Sequence, residues 1–223
     1  MTRKLKEPLI FGMCGLAGSG KDTAANFIEQ HYQSLGLKTA RIKFATALKD
    51  ITATLFSLDR QKLEGITPED RDWREQELEG WSQKLGRSVT PRSLLQILGT
   101  DVLRTYLHPN IWVDCLDMKI KSPEYEDVDV FVITDCRFPN ELEWLFSIGA
   151  YMFEVRRFEP DWYKNYINND IVPENIHISE YAWIKPLHSL TERYYKVGSL
   201  DCTIDDLRQT VQEALCDIPL EWK

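Results

Sequence analysis

One stretch near the start of the chain decides the fold: residues 8–23, which read PLIFGMCGLAGSGKDT. Its apolar first half, residues 8–14, predicts a buried strand, and apolar residues at helical spacing follow Lys21. Between strand and helix stands G-x-x-x-x-G-K, the spacing of a phosphate-binding loop. Glycines there let backbone N–H groups turn toward phosphate oxygens, and the helix N-terminus adds its positive dipole end. The alternative, a glycine-rich turn capped by Asp22, is disfavoured by the flanking strand and helix.

The loop motif assigns individual residues to nucleotide phosphates. They are Gly15, Ala17, Gly18, Ser19, Gly20, Lys21, Asp22 and Thr23. Lys21 is expected to bridge the β- and γ-phosphates. The strict motif has Ser or Thr directly after the lysine, whereas here Asp22 intervenes. Either Thr23 supplies the hydroxyl on the magnesium side, or Asp22 approaches the ion itself.

Composition bounds the protein class. The 223 residues, 43% of them hydrophobic, are enough for one large domain with a full core. The net charge of −8 disfavours a nucleic-acid polymer as partner, although a few arginines suffice for a small anion. Five scattered cysteines predict reduced thiols in a cytoplasmic compartment. No run reaches the roughly 18 apolar residues of a membrane span, so no membrane association is expected.

Strand and helix patterns alternate along most of the chain. Strands are predicted near residues 8–14, 40–44, 128–133, 151–155 and 194–197, with helices between them and a last helix from Thr203. Residues 59–90 are charged and irregular and predict surface loops with one short helix at most. The alternation predicts an α/β fold, a parallel sheet with helices on both faces. Ligands in such folds gather at the carboxyl ends of the strands.

A second polar segment follows the most apolar strand, 128–133. It contains Asp135, Arg137, Asn140 and Glu141. In phosphate-loop proteins an acidic residue at a neighbouring strand end holds magnesium directly or through water. The same letters also fit an ion pair that caps the helix opening at Pro139. The spacing alone leaves both interpretations open.

A helix predicted from Pro91 carries a polar stripe at every fourth position: Arg92, Gln96, Thr100 and Arg104. Guanidinium groups suit phosphate and an amide suits a base edge, so the stripe fits a nucleotide, or else it is a solvated face. Trp112, in a further helical stretch, either stacks on a base or packs in the core.

Three further cations have the same ambiguity. Arg156 and Arg157 follow a strand and open an aromatic segment. They either bind the transferred phosphoryl group or are ordinary charged surface residues, and the same two alternatives hold for Lys49.

Several motifs occur together in order. They are GSGKDT at 18–23, FAxxLK at 44–49, PRxLLQxLGTD at 91–101, DxRFPNE at 135–141 and HxSE at 177–180. Together they resemble the deoxynucleoside monophosphate kinases of tailed bacteriophages. The resemblance implies a P-loop NTPase-type fold in a single kinase domain, 1–223, with a helical nucleoside-monophosphate-binding insertion at about 45–125 and a lid-like insertion at about 157–190. It also implies phosphoryl transfer from ATP to a deoxynucleoside 5'-monophosphate, with Mg²⁺, in the cytoplasm of an infected bacterium, supplying DNA precursors.

Taken with the motifs, the resemblance assigns roles to residues. The expected catalytic residues are Lys21, Asp22, Asp135, Arg137 and Glu141, and the expected metal ligands are Asp22, Thr23 and Asp135. The expected acceptor-binding residues are Phe44, Lys49, Arg92, Gln96, Thr100, Arg104, Trp112 and Asn140. The alternatives are a kinase for another small phosphorylated acceptor, of the dephospho-coenzyme A kind, and a nucleotide-dependent switch or ATPase. The sequence does not determine which bases are accepted or whether the protein is a homodimer. It also does not determine which lid arginine, Arg156 or Arg157, acts in the transfer, or what residues 177–180 do.

Overall fold

The computed structural model describes residues 4–222, which divide into two compact units. One unit comprises the described residues up to Lys43 and from Lys119 onward, and the other is Phe44–Met118. The phosphate-loop motif and Asp135 therefore lie in the same unit, although more than a hundred residues separate them in sequence.

The first unit is built on a parallel sheet of five strands. They are β1 (Leu9–Cys14), β2 (Thr39–Ile42), β3 (Val130–Ile133), β4 (Tyr151–Val155) and β5 (Tyr194–Val197), in the spatial order β2-β3-β1-β4-β5. In the central strand β1, Gly12 lies opposite Ile133 on one side and Met152 on the other. All four residues of β3 are buried, which explains their uninterrupted apolar sequence. The predicted α/β parallel sheet is confirmed.

Ten α-helices and one π-helix are assigned within residues 4–222. They are α1 (Lys21–Ser34), α2 (Thr46–Phe56), α3 (Pro68–Glu75), α4 (Glu79–Leu85), α5 (Pro91–Gln96), the π-helix (Ile97–Leu107), α6 (Ile111–Ile120), α7 (Pro139–Ser147), α8 (Asp161–Asn169), α9 (Ile184–His188) and α10 (Ile204–Cys216). In this part of the chain no helix combines the length and apolar character that crossing a bilayer requires.

Helices cover both faces of the sheet, as predicted. On one face, α1 and α10 pack with Phe11 and Met13 of β1 in a single apolar cluster. On the other face, α7 approaches β1 so closely that a Cβ on Gly12 would lie 2.8 Å from Leu145 Cδ1. Only glycine fits this position without a shift of the neighbouring side chains.

The prediction for residues 59–90 is wrong, because this stretch forms two α-helices, α3 and α4, and a short 3₁₀ turn, Lys62–Glu64. The start of α3 is fixed by a capping box: Thr67 Oγ1 accepts from Asp70 N, and the Asp70 carboxylate accepts from Thr67 N. Pro68 occupies the first helical position. These start signals are present in the sequence, but the segment lacks an apolar stripe.

The helix predicted from Pro91 also differs from expectation. It is α-helical only to Gln96 and continues as the π-helix, whose i→i+5 hydrogen bonds widen the turn. Side chains four residues apart therefore no longer keep α-helical positions. Two of its large hydrophobic side chains, Val102 and Tyr106, are exposed by 37% and 84%.

The parallel sheet brings the polar segments to one edge. The phosphate loop follows β1, Asp135 lies two residues beyond β3, and Arg156 comes directly after β4. Because parallel strands end at the same side, these segments share the carboxyl edge, where ligands bind in open α/β sheets.

Candidate functional site

The phosphate loop forms a tight turn between β1 and α1. Gly20, the N-cap of α1, has a φ of 98°, in the left-handed region that favours glycine. Ser19 is 3% exposed, and among residues 4–222 its Oγ has no hydrogen-bond partner. Gly15 is buried, whereas Ala17 and Gly18 are exposed. The backbone of the turn therefore leads directly into the N-terminus of α1, where anions are favoured.

Lys21 folds back over the loop. Its Nζ donates to the carbonyl oxygens of Gly15 at 2.8 Å and Leu16 at 2.9 Å. Burial, and after it the positive charge of Arg137, lowers the pKa of Lys21 to about 8, against an opposing effect of Glu180. A phosphate beside Nζ would favour the charged ammonium. Lys21 and Arg137 thus lie within electrostatic reach of one another.

The first turn of α1 presents two oxygen-bearing side chains. The side chain of Asp22 is 72% exposed, and its Oδ1 lies 3.8 Å from Nη1 of Arg41. Arg41 is itself held by Glu29, with Nε–Oε1 and Nη2–Oε2 distances of 3.0 and 2.5 Å. Thr23 is half-buried. The proximity of Arg41 to Asp22 arises from the packing of β2 beside α1.

Glu141 organises the segment that follows β3. Its side chain is buried, and Oε2 accepts from the backbone N of Arg137 at 2.7 Å and of Phe138 at 3.1 Å. This is the backward reach of a glutamate at the third helical position, with Pro139 at the first. Glu141 therefore has an observed structural role, and its expected catalytic role stays a prediction. Asp135 is half-buried in the same segment.

Arg137 has an acidic partner that sequence spacing did not reveal. Its Nη1 donates to Oε1 of Glu180 at 2.7 Å and to the carbonyl oxygen of Ser179 at 3.3 Å. The HxSE motif, which had no named role, thus contacts the DxR motif across 43 residues of sequence.

In the second unit, three predicted acceptor-binding residues are buried. Phe44 is 3% exposed and Trp112 is 3% exposed, with Nε1 of Trp112 donating to the carbonyl oxygen of Gly99 at 2.9 Å. Nζ of Lys49 lies 2.7 Å from Oε2 of Glu64. The structure therefore favours core packing for Trp112 and a buried ion pair for Lys49.

The polar stripe of the same unit is less buried. Nη1 of Arg92 lies 2.9 Å from Oε1 of Glu75, and Nη1 of Arg104 donates to the carbonyl oxygen of Pro109 at 3.2 Å. Gln96 and Thr100 are half-buried, as is Asn140 in the first turn of α7. Their expected role toward an acceptor stays a prediction.

Comparison with known proteins identifies the relatives of the chain. A family model described as deoxynucleotide monophosphate kinase matches residues 74–180. A putative deoxynucleotide monophosphate kinase of Acanthamoeba polyphaga mimivirus is 31% identical over 166 residues, which are 67% of this chain and 74% of the relative. The chain belongs to the deoxynucleotide monophosphate kinase family. The predicted resemblance to these kinases, which are phosphotransferases, is confirmed. Membership of the family implies the use of ATP and of nucleotide substrates.

Other matches of this kinase are shorter or weaker. The deoxynucleoside-5'-monophosphate kinase of Escherichia phage T5 is 46% identical over 57 residues, which cover 26% of this chain and 22% of the relative. A gluconokinase structure from Sinorhizobium meliloti covers 94% of this chain and 92% of its own, at 12% identity and a TM-score of 0.38, too low to support an argument. The range of the family model includes the polar stripe and the DxRFPNE segment and ends at Glu180.

The two arginines after β4 have different environments in this kinase. Arg156 is engaged: Nη2 lies 2.5 Å from Oε2 of Glu159, and Nε lies 3.8 Å from Oε1 of Glu154. Arg157 is exposed. Glu154, a buried carboxylate of β4, is a residue that the sequence analysis missed, because its strand offers no motif around it.

Proposed function

We propose that the protein transfers the terminal phosphoryl group of ATP to a deoxynucleoside 5'-monophosphate, giving the diphosphate and ADP. In this transfer an oxygen of the acceptor phosphate bonds to the γ-phosphorus while the bond to the β–γ bridging oxygen breaks. The observation that carries the proposal is that Lys21 folds back over the phosphate loop, within electrostatic reach of Arg137, in a member of this kinase family.

The ATP phosphates are assigned to the loop and to Lys21. Nζ of Lys21 already lies over the loop, held by two carbonyl oxygens that also border the turn. The N-terminus of α1 favours negative charge at the same place. Ser19 offers a buried hydroxyl that has no partner within residues 4–222. Such transfers depend on positioning and electrostatics more than on covalent chemistry of the protein.

Magnesium is the cofactor we assign with ATP, because the side chains at the loop fit it. Mg²⁺ takes oxygen ligands and usually binds through one or two carboxylates together with substrate phosphates. Asp22 offers an exposed carboxylate at the start of α1, Thr23 a hydroxyl one residue later, and Asp135 a carboxylate beyond β3. The ion would supply positive charge to the phosphate oxygens.

Arg137 is assigned to the charge that develops on the transferred group. Its backbone is fixed by Glu141 and its guanidinium by Glu180, so little reorganisation is needed during the reaction. We assign Glu141 to positioning this segment rather than to contact with the reacting atoms.

The acceptor nucleotide is assigned to the polar stripe: Arg92, Gln96, Thr100 and Arg104, with Asn140. For Phe44, Lys49 and Trp112 we propose a supporting role, because all three are buried and two already have internal partners. Residues 45–125 would then form the acceptor-binding insertion and residues 157–190 the lid.

A coupled assay of ADP release tests the function. Each deoxynucleoside and ribonucleoside monophosphate is offered in turn with ATP and Mg²⁺, and dephospho-coenzyme A is included as the rival acceptor. Fast ADP release that requires a deoxynucleoside monophosphate supports the proposal and gives the base preference. Turnover with dephospho-coenzyme A alone, or ATP loss unchanged by every acceptor, would replace it with one of the two alternatives.

A further inference from the structure

Glu180 is an acidic side chain held against Arg137. It ends a short 3₁₀ turn, Ile178–Glu180, and its side chain is only 18% exposed. Oε1 accepts a charge-assisted hydrogen bond of 2.7 Å from Nη1 of Arg137, and the Ser179 carbonyl oxygen accepts from the same nitrogen. One donor of Arg137 is therefore held by two adjacent acceptors of a single turn.

The turn that presents Glu180 is itself held on both sides. Before it, Nδ1 of His177 accepts from the backbone N of Ser179 at 3.2 Å and lies 2.8 Å from Ser179 Oγ. After it, the buried Trp183 donates from Nε1 to the carbonyl oxygen of Glu180 at 3.0 Å. Supporting hydrogen bonds of this kind fix the orientation of the group that they carry. The carboxylate of Glu180 is thus presented to Arg137 by a pre-organised turn.

Glu180 also bears on the second cation of the site. Arg137 is close enough to Lys21 for its charge to lower the pKa of that ammonium, and Glu180 acts on Lys21 in the opposite direction. Two cations directed at the same phosphates repel one another, and a carboxylate beside both reduces that repulsion.

We propose that Glu180 is a positioning residue for phosphoryl transfer, which orients the guanidinium of Arg137 and offsets the repulsion between Arg137 and Lys21. The inference rests on the proposed function, since it takes Arg137 as the group that meets the transferred phosphoryl. It gives the HxSE motif a physical role: His177 and Ser179 build the turn, and Glu180 holds the arginine.

Four variants test the proposal: Glu180→Gln, Glu180→Asp, Arg137→Ala and the double variant Glu180→Gln with Arg137→Ala. Glu174→Gln is the matched control, because it removes an exposed carboxylate from the same segment. Measured for each are kcat, the KM for ATP and for the acceptor, and the thermal unfolding midpoint.

The expected results separate positioning from folding. Glu180→Gln keeps an acceptor oxygen for Arg137 but removes the negative charge, which lowers kcat by about tenfold, while both KM values and the unfolding midpoint stay close to wild type. Glu180→Asp, which keeps the charge, retains more activity than Glu180→Gln. In the Arg137→Ala background, Glu180→Gln has almost no further effect on kcat.

Three outcomes would overturn it. They are a Glu180→Gln variant as active as Glu174→Gln, an equal tenfold loss in the Arg137→Ala background, and a gain in kcat that would mean Glu180 competes with phosphate for the guanidinium. Failure of the proposed function is distinguishable, because the wild-type enzyme would then show no turnover that depends on a deoxynucleoside monophosphate.

Discussion

Replacing Glu154 by glutamine is expected to destabilise the protein by about 3 kcal/mol. Glu154 is 1% exposed at the carboxyl end of β4, opposite Cys14, the last residue of β1 before the phosphate loop. Its carboxylate accepts from Tyr163 Oη at 3.1 Å, lies 3.1 Å from His188 Nε2 and also accepts from the Tyr194 hydroxyl. One side chain thus fastens α8, α9 and β5 to the strand beside the loop.

The magnitude follows from opposing contributions. Each hydrogen bond to a charged group contributes about 1.5–3 kcal/mol, whereas burying a carboxylate costs several kcal/mol. Breaking one partner of a buried pair typically costs about 3–5 kcal/mol. The lower end of this range applies here for two reasons. The side chains of Arg156 and His188 are 29% and 25% exposed, and glutamine retains one acceptor oxygen. For a chain of this length the midpoint would fall by roughly 6–12 °C.

The effect should also depend on pH. Burial acts to raise the pKa of Glu154, but hydrogen bonds from His188 and Tyr194 and the charge of Arg156 outweigh it and hold the pKa below its usual value. A carboxyl whose pKa is lower in the folded state stabilises fully above its unfolded pKa and loses that stabilisation as pH falls through the folded pKa. The stability gap between wild type and Glu154→Gln should therefore stay constant from about pH 6 to 8 and shrink under acid.

Urea unfolding followed by circular dichroism over this pH range measures the gap. The control is Glu192→Gln, which removes a 69% exposed carboxylate next to Arg193 and should change stability by less than about 0.5 kcal/mol. A Glu154→Gln protein as stable as wild type at neutral pH, or a gap that widens on acidification, would refute the reasoning.

Three further variants probe single contacts. Lys21→Met should lower kcat by about 10²- to 10³-fold with an unchanged unfolding midpoint, and steady-state kinetics that match wild type would remove Lys21 from phosphate binding. Glu141→Ala should lower the free energy of unfolding, measured by urea titration, by about 2–3 kcal/mol, because two backbone N–H groups lose their acceptor. The control Glu143→Ala, at an exposed position of the same helix, should lower it far less, and equal losses would contradict the capping role. Trp112→Phe should cost about 1 kcal/mol, because the Gly99 carbonyl loses its donor, and leave the acceptor KM unchanged; a raised KM at full stability would indicate base stacking instead.

Local signals in the sequence were enough for the framework of the site. The apolar run before Gly15 and the helical spacing after Lys21 placed the phosphate loop between β1 and α1, where the structure has it. The run at 128–133 placed Asp135 at a strand end, and parallel topology then brought both to one edge. These inferences hold because backbone geometry and hydrophobic periodicity act over a few residues.

Two predictions of secondary structure differed from the structure. Residues 59–90 lack an apolar stripe and therefore predict loops, although Thr67 and Asp70 have the spacing of a capping box. The change from α5 to the π-helix at Ile97 has no capping residue, glycine or proline at the junction that would mark it in the sequence.

By itself, the sequence determined the α/β class, the phosphate loop and the kinase family of the protein. Only the tertiary structure decided the partners of the charged groups: Glu180 on Arg137, and His188 and Tyr194 on Glu154. The physical reason is range, since these pairs lie 43, 34 and 40 residues apart in the sequence. The partner of a charged side chain at such a distance in sequence is determined by how the strands and helices pack. Residue spacing along the chain therefore cannot predict it.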